Sequence, residues 1–161
     1  MAQIKTNAMR ILDAKKIDYG MKVYDAADGK IDGVSVAQKV GRDPKEVYKT
    51  LVTQGAKGIY VFVIPVEAEL DLKRAAKAAN EKKIDMIAVK DIQKLTGYIR
   101  GGCSPVGMKK QYPTFIETCA EGLEEMVVSG GKIGVQIEIK PHDLILVTNG
   151  TFAEVIKEHE G

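Results

Sequence analysis

The stretch YKTLVTQGAKGIYVFVIPV, residues 48–66, limits the possible folds more than any other part of the chain. Two runs rich in β-branched and aromatic residues flank GAKG, the pattern of two strands joined by a tight turn. The glycines of that turn are expected to supply positive φ. The apolar run 59–66 has eight residues and one proline. A bilayer span needs about 20 apolar residues, so this run belongs to a sheet and not to a membrane.

Helical and strand-like segments alternate around the hairpin without a regular βαβ rhythm. Residues 6–17 read as a helix capped by Thr6 or Asn7, with Ile4, Ala8, Ile11 and Leu12 on one face. Residues 19–25 alternate as a strand. VSVAQKVG (34–41) reads as a short helix closed by Gly41, and Pro44 suits the first turn of another. DLKRAAKAAN (71–80) is expected to be a helix capped by Asp71, IDMIAV (84–89) a buried strand, and KDIQKLTG (90–97) a helix ended by Gly97. TFIETC, EMVVSG and KIGVQIEI follow as strands, with Gly130–Gly131 as a hairpin turn. PHDLILVT starts at Pro141 as a short helix, and residues 151–160 are expected to form a closing helix. The pattern predicts an α+β fold: a mixed, largely antiparallel sheet curled toward a partial barrel, with flanking helices.

A length of 161 residues favours one domain, residues 1–161. The net charge of +2 does not announce a nucleic-acid binder, so such a role rests on where the charges sit. Cys103 and Cys119 form no CxxC and no metal-type spacing with His142 or His159. Two reduced thiols and no metal or cofactor are therefore expected. No apolar signal core opens the chain, and a cytoplasmic location follows as the expectation.

The chemistry-bearing candidate is GYIRGGCSPVGMKK, residues 97–110. Three readings compete: a surface turn, a phosphate cradle, and a set of backbone donors for an anionic transition state. A phosphate-binding P-loop needs Lys and then Ser or Thr directly after its last glycine. Here Met108 intervenes and no hydroxyl follows Lys109. Consecutive glycines let the main chain approach a substrate and aim its N–H groups. Gly101, Gly102, Cys103, Ser104 and Pro105 form this element. Lys49 stands in an apolar strand, either reaching solvent or aimed into a cleft. Ser129, Gly130 and Gly131 make a second glycine turn, which would complete a pocket if it lay beside the first. Lys73, Arg74, Lys77, Lys82, Lys83, Lys109 and Lys110 are either solvated surface or a phosphate track. Cys103 is a possible nucleophile, but no histidine is placed to activate it.

VYKTLV, LDLKRAAKA, TGYIRGGCSPVGMKK, TFIE and VSGGKIGVQIEIKPHDL occur in the order seen in the YbaK/EbsC family, which the chain resembles from about residue 6 to about residue 157. These are stand-alone relatives of the editing domain inserted in bacterial prolyl-tRNA synthetases. The resemblance implies a trans-editing deacylase that hydrolyses the ester of a mischarged tRNA, Cys-tRNA(Pro) foremost, and that can act alongside prolyl-tRNA synthetase. It implies that Lys49 is the functional lysine, that residues 101–105 are the glycine-loop element, and that Tyr24 and Asp143 are pocket positions. It also implies attack on the carbonyl by the substrate's own thiol, with Cys103 as pocket wall. Asp32 departs from the family pattern, which often has a bulky residue just before the glycine matching Gly33. An acid there could pair with a substrate ammonium or belong to a solvated turn, so specificity for alanine or another small residue stays open. A non-catalytic tRNA-end binding module is the rival from another class. A monomer or weak homo-oligomer is expected.

Overall fold

A computed structural model describes residues 5–157; Ile4 and His159, named above, lie outside the described residues. Eight strands and five α-helices are described: α1 Asn7–Ala14, β1 Gly20–Val23, α2 Gly33–Val40, β2 Tyr48–Gly55, β3 Gly58–Pro65, α3 Leu72–Ala78, β4 Asp85–Met86, α4 Val89–Thr96, β5 Thr114–Glu117, β6 Met126–Lys132, β7 Val135–Ile139, α5 Pro141–Thr148 and β8 Thr151–Ala153. No helix among the described residues is long and apolar enough to cross a membrane.

The strands form two sheets, where the sequence suggested one. The smaller is antiparallel, in the order β1-β7-β6; the larger is mixed, in the order β4-β2-β3-β5-β8. They meet where Val47 bridges Val127 in parallel, and the arrangement is not closed. The α+β class, the mixture of strand directions and the flanking helices are as expected.

Strand β3 explains why its run is apolar without alternation. Val61 and Val63 pack with Val128, Ile137 and Ile139 of the small sheet and with Met9 and Leu12 of α1. Tyr60, Phe62 and Ile64 face the other way, toward Ala75 and Ala76 of α3. Both faces are buried, so polar residues have no place on the strand. Each large apolar side chain removed from water contributes about 1.5–3 kcal/mol. This central strand is therefore what fixes the two sheets to each other.

Helix ends follow the sequence signals. Thr6 accepts from the Met9 amide, Asp71 from the Lys73 and Arg74 amides, and Gly41 and Gly97 end their helices in the left-handed conformation.

Five expectations need correction. The hairpin β2–β3 turns at Ala56–Lys57, with Gly55 opposite Gly58 and neither glycine at positive φ. Its turn is tethered instead by side chains, since Lys57 donates its amide to Glu81 and its ammonium to the Asn80 carbonyl. Pro44 opens only a single turn, Pro44–Glu46, because Val47 must extend to bridge Val127. Residues 84–89 hold a two-residue edge strand, Asp85–Met86, both exposed. Ile84 and Ile87 are buried three residues apart, which is not a strand's period. Gly130–Gly131 lies within β6, where the register shifts between Ser129 and Lys132; Ile133–Gly134 make the turn. Of the expected closing helix 151–160, residues 151–153 form strand β8 instead and residues 158–160 lie outside the described residues. Strand β8 pairs in parallel with β5, and the Val155 amide donates to the buried Glu117 carboxylate at 3.2 Å.

Candidate active site

A cleft of about 120 Å³ opens at the junction of the two sheets. Val47 just before β2 and Tyr48, Lys49 and Thr50 at its start line it, with Ser129 and Gln136 from β6 and β7 and Tyr24 directly after β1. Gly33 and Val36 of α2 close one side, and Gly101 and Cys103 of the glycine loop close another. Three consecutive residues at the start of β2 take part, so the cavity takes in both faces of the strand.

Tyr24 is held from two directions. Its amide donates to the Gly134 carbonyl at 2.9 Å, extending the ladder of β1. The Lys39 ammonium stands 5.8 Å from its ring centroid and also donates to the carbonyls of Asp25 and Lys30 and to Asp28. One lysine thus clasps the 25–30 loop over the ring. The Tyr24 hydroxyl is buried and unpartnered, and so is Thr50 Oγ1. A hydroxyl removed from water without a partner costs about 1–3 kcal/mol, so two of them in one cleft mark a place shaped for polar groups of a ligand.

Lys49 is half-buried on β2, directly opposite Ile64. Burial pushes its ammonium below the usual lysine range, and Glu69 only partly offsets this. Glu69 is itself paired with Lys157 at 3.1 Å. Lys49 therefore presents a poorly solvated positive charge to the cleft. Gln136 is buried and lines the same cleft, and its carboxamide makes one long bond, from Nε2 to the Val135 carbonyl at 3.5 Å.

The glycine loop divides its work. Gly101 has φ +87°, a conformation that costs other residues about 1–2 kcal/mol. A Cβ on Gly101 would stand 2.9 Å from Ile31, at the cleft wall. Gly102 packs on the β6–β7 turn, where a Cβ would meet the Ile133 nitrogen at 2.8 Å. Its N–H is spent on the Ile99 carbonyl at 3.0 Å. Among the described residues, no acceptor is bonded to the N–H of Gly101 or of Cys103. Of the loop residues, Gly101 and Cys103 both line the cleft and keep an N–H without an acceptor. Ser104 and Pro105 are buried behind the loop, and Ser104 Oγ accepts from the Val106 amide at 3.2 Å.

Cys103 lines the cleft, but burial pushes its thiol up to about 11, and its nearest polar partner is Thr96 Oγ1 at 4.0 Å. His142 lies elsewhere, edge-on to Phe152. The thiol has no base beside it. Among the described residues, no group of three or more His, Cys, Asp or Glu could hold a metal ion.

Of the residues singled out from sequence, the cleft gathers Tyr24, Lys49, Gly101, Cys103 and Ser129. Ser129 Oγ accepts from the Gly131 amide, and Gly130 and Gly131 support the strand without lining the cavity. Asp32 is exposed and caps α2, accepting from the Ser35 amide at 3.1 Å. Asp143 sits in the first turn of α5 and does not line the cleft. Thr50, Gln136 and Gly33 were missed. Gln136 had a readable signal, as a polar position alternating with the apolar ones of VQIEI; Gly33 was marked by the family pattern around Asp32 but not taken as a site residue, and Thr50 had no signal.

This fold recurs in known proteins. Residues 32–146 match the aminoacyl-tRNA editing domain. The chain belongs to that family, whose reaction class is deacylation of aminoacyl-tRNA, a hydrolysis. EbsC of Enterococcus faecalis, which carries the name of a proposed Cys-tRNA(Pro)/Cys-tRNA(Cys) deacylase, is 46% identical over 95% of this chain and 94% of its own. A solved structure described as a proposed trans-editing enzyme for prolyl tRNA synthetase superposes with a TM-score of 0.82 over 97% of this chain and all of that one, at 23% identity. A solved hypothetical protein reaches 0.86 over 94% of this chain and all of its own, at 20% identity. At those identities the two structures speak for the fold.

Proposed function

We propose that this chain is a trans-editing enzyme that releases cysteine from mischarged tRNA, Cys-tRNA(Pro) foremost, in the cytoplasm and alongside prolyl-tRNA synthetase. The observation that carries the reading is a small cleft whose lining brings together Tyr24 and Thr50, each with a buried unpartnered hydroxyl, the half-buried Lys49, and Gly101 and Cys103, whose N–H groups have no acceptor, with no His, Asp or Glu among the described residues that line it. The name of the EbsC relative supports the choice of substrate.

An aminoacyl ester is already activated, so orientation and charge stabilisation suffice for turnover. In this reading the cleft holds the amino acid. Lys49 fixes the terminal adenosine or its phosphate beside the ester. The Gly101 and Cys103 amides receive the oxyanion that forms on the carbonyl. The substrate thiol attacks its own carbonyl carbon, the bond to the ribose oxygen breaks, and that oxygen takes the proton. The resulting thiolactone opens in water. Cys103 forms wall, in keeping with its raised pKa.

The test is deacylation of Cys-tRNA(Pro), Ala-tRNA(Pro) and Pro-tRNA(Pro) by wild type and Lys49→Ala. Selective release of cysteine that is abolished in the variant supports the reading. Release of alanine instead moves the specificity to another small residue. Binding of uncharged tRNA with no turnover of any substrate overturns catalysis in favour of an RNA-end binding module.

A further inference from the structure

The three strands of the small sheet carry one row of residues across the cleft. Ser129 of β6 stands opposite Gln136 of β7, and Gln136 stands opposite Lys22 of β1. Residues directly opposite in an antiparallel pair share a face, with Cβ atoms about 4.5–5.5 Å apart. Ser129 and Gln136 line the cleft, so Lys22 continues the row to its outer edge. Lys22 is exposed and has no side-chain hydrogen bond or ion pair among the described residues.

Three more exposed cations adjoin cleft or glycine-loop residues. Lys30 precedes Ile31 and Arg100 precedes Gly101, both cleft residues, and the Lys132 backbone packs on Gly102 between Gly101 and Cys103. All three are exposed, and none has a side-chain ion pair among the described residues. Of the acids near this rim, Asp28 is paired with Lys39 at 2.7 Å and Glu138 with Arg42 at 3.5 Å, while Asp25 and Asp32 accept the Ala27 and Ser35 amides. The far end of the hairpin differs. Its depression mixes Lys57, Lys82 and Lys83 with Glu81 and Asp85, and Lys83 stands 3.7 Å from Asp85.

We propose that Lys22, Lys30, Arg100 and Lys132 form a phosphate-binding rim that receives the backbone of the single-stranded 3′ end of the aminoacylated RNA. Unpaired surface cations beside a small cleft suit a polyanion that enters end-first. This rests on the editing function proposed above. It moves RNA binding from the lysines of α3 and residues 82–83 to the cleft mouth.

The test compares a cysteinyl minihelix ending in CCA with 2′(3′)-O-cysteinyl-adenosine, which has no phosphate. Wild type is expected to favour the minihelix at low salt through KM. In Lys22→Ala, that preference shrinks by about 3–10-fold with kcat retained. In Lys22→Ala/Arg100→Ala/Lys132→Ala, the slope of log(kcat/KM) against log[salt] flattens by about 0.7 for each phosphate that is no longer neutralised. Lys77→Ala on α3 keeps the wild-type preference. An unaltered preference in the triple variant, or an equal fall in Lys77→Ala, overturns the rim. If wild type hydrolyses neither ester, the editing function fails on its own. Anisotropy of a labelled CCA-ended oligonucleotide then decides the rim: salt-sensitive binding that disappears in the triple variant upholds it, and absent binding overturns it.

Discussion

Tyr24→Phe separates a side chain kept for stability from one kept for a ligand. The hydroxyl is buried without a partner, on a residue 6% exposed. Phenylalanine keeps the ring, the Lys39 ammonium near it and the packing against Val36 and Val40. The substitution removes only the unsatisfied oxygen, whose burial costs about 1–3 kcal/mol. Taking the low end, the variant is expected to be more stable by about 1 kcal/mol, which for a chain of this size raises Tm by about 2–4 °C. Under the proposed function, this oxygen gains its missing partner when a substrate enters the cleft beside it. Losing one neutral hydrogen bond of about 1–1.5 kcal/mol lowers kcat/KM by about 5–10-fold. Urea denaturation and deacylation of Cys-tRNA(Pro) measure the two effects. A stability loss refutes the claim that the hydroxyl is unsatisfied. A stability gain with full activity refutes its role toward the substrate.

Lys49→Met removes a charge that burial disfavours. The wild-type lysine binds its proton less readily folded than unfolded, so its penalty is full below the folded pKa and disappears as pH rises toward 10.5. The variant is expected to be more stable than wild type at neutral pH, with the gap closing toward pH 10.5; a pH-independent gap in urea titrations contradicts this. Its kcat/KM should fall by about 10–100-fold, the worth of a charged hydrogen bond. For the cysteines, alkylation at about pH 8 followed by mass spectrometry is expected to mark exposed Cys119 well before Cys103, and Cys103→Ser to retain turnover. Rapid labelling of Cys103 with parallel inactivation would restore the nucleophile reading. Gly33→Ala places a Cβ 2.3 Å from Val66 Cγ1, so it should cost about 1–3 kcal/mol and lower kcat/KM by displacing α2 from the cleft. Gly33→Ala/Val66→Ala is expected to recover much of both losses, and no recovery argues that the clash is not the cause.

Local chemistry wrote most of the elements into the chain. Helix caps at Thr6, Asp71, Gly41 and Gly97 are decided by side chains within a turn of the backbone they serve, and so they are legible. The same holds for the two-sided burial encoded in residues 59–66 and for the glycine loop, whose composition alone singles it out. Lys49 was visible because a lysine in an apolar strand is conspicuous. The family resemblance stated from five ordered motifs agrees with the domain matched over residues 32–146.

Long-range pairing decided the rest. Residues 151–153 read as helix alone and become β8 because β5 offers an open edge and Glu117 an acceptor. The turn after β6 moves to Ile133–Gly134 because the register with β7 shifts at Ser129. The cleft is the clearest case. Thr50, Gln136, Gly33 and the row from Ser129 to Lys22 come together only because Val47 and Val127 bring two sheets edge to edge. Sequence determined which residues could carry chemistry. The meeting of strands far apart in the chain decided which of them share a site, since side-chain periodicity fixes a face but not the surface that face will meet.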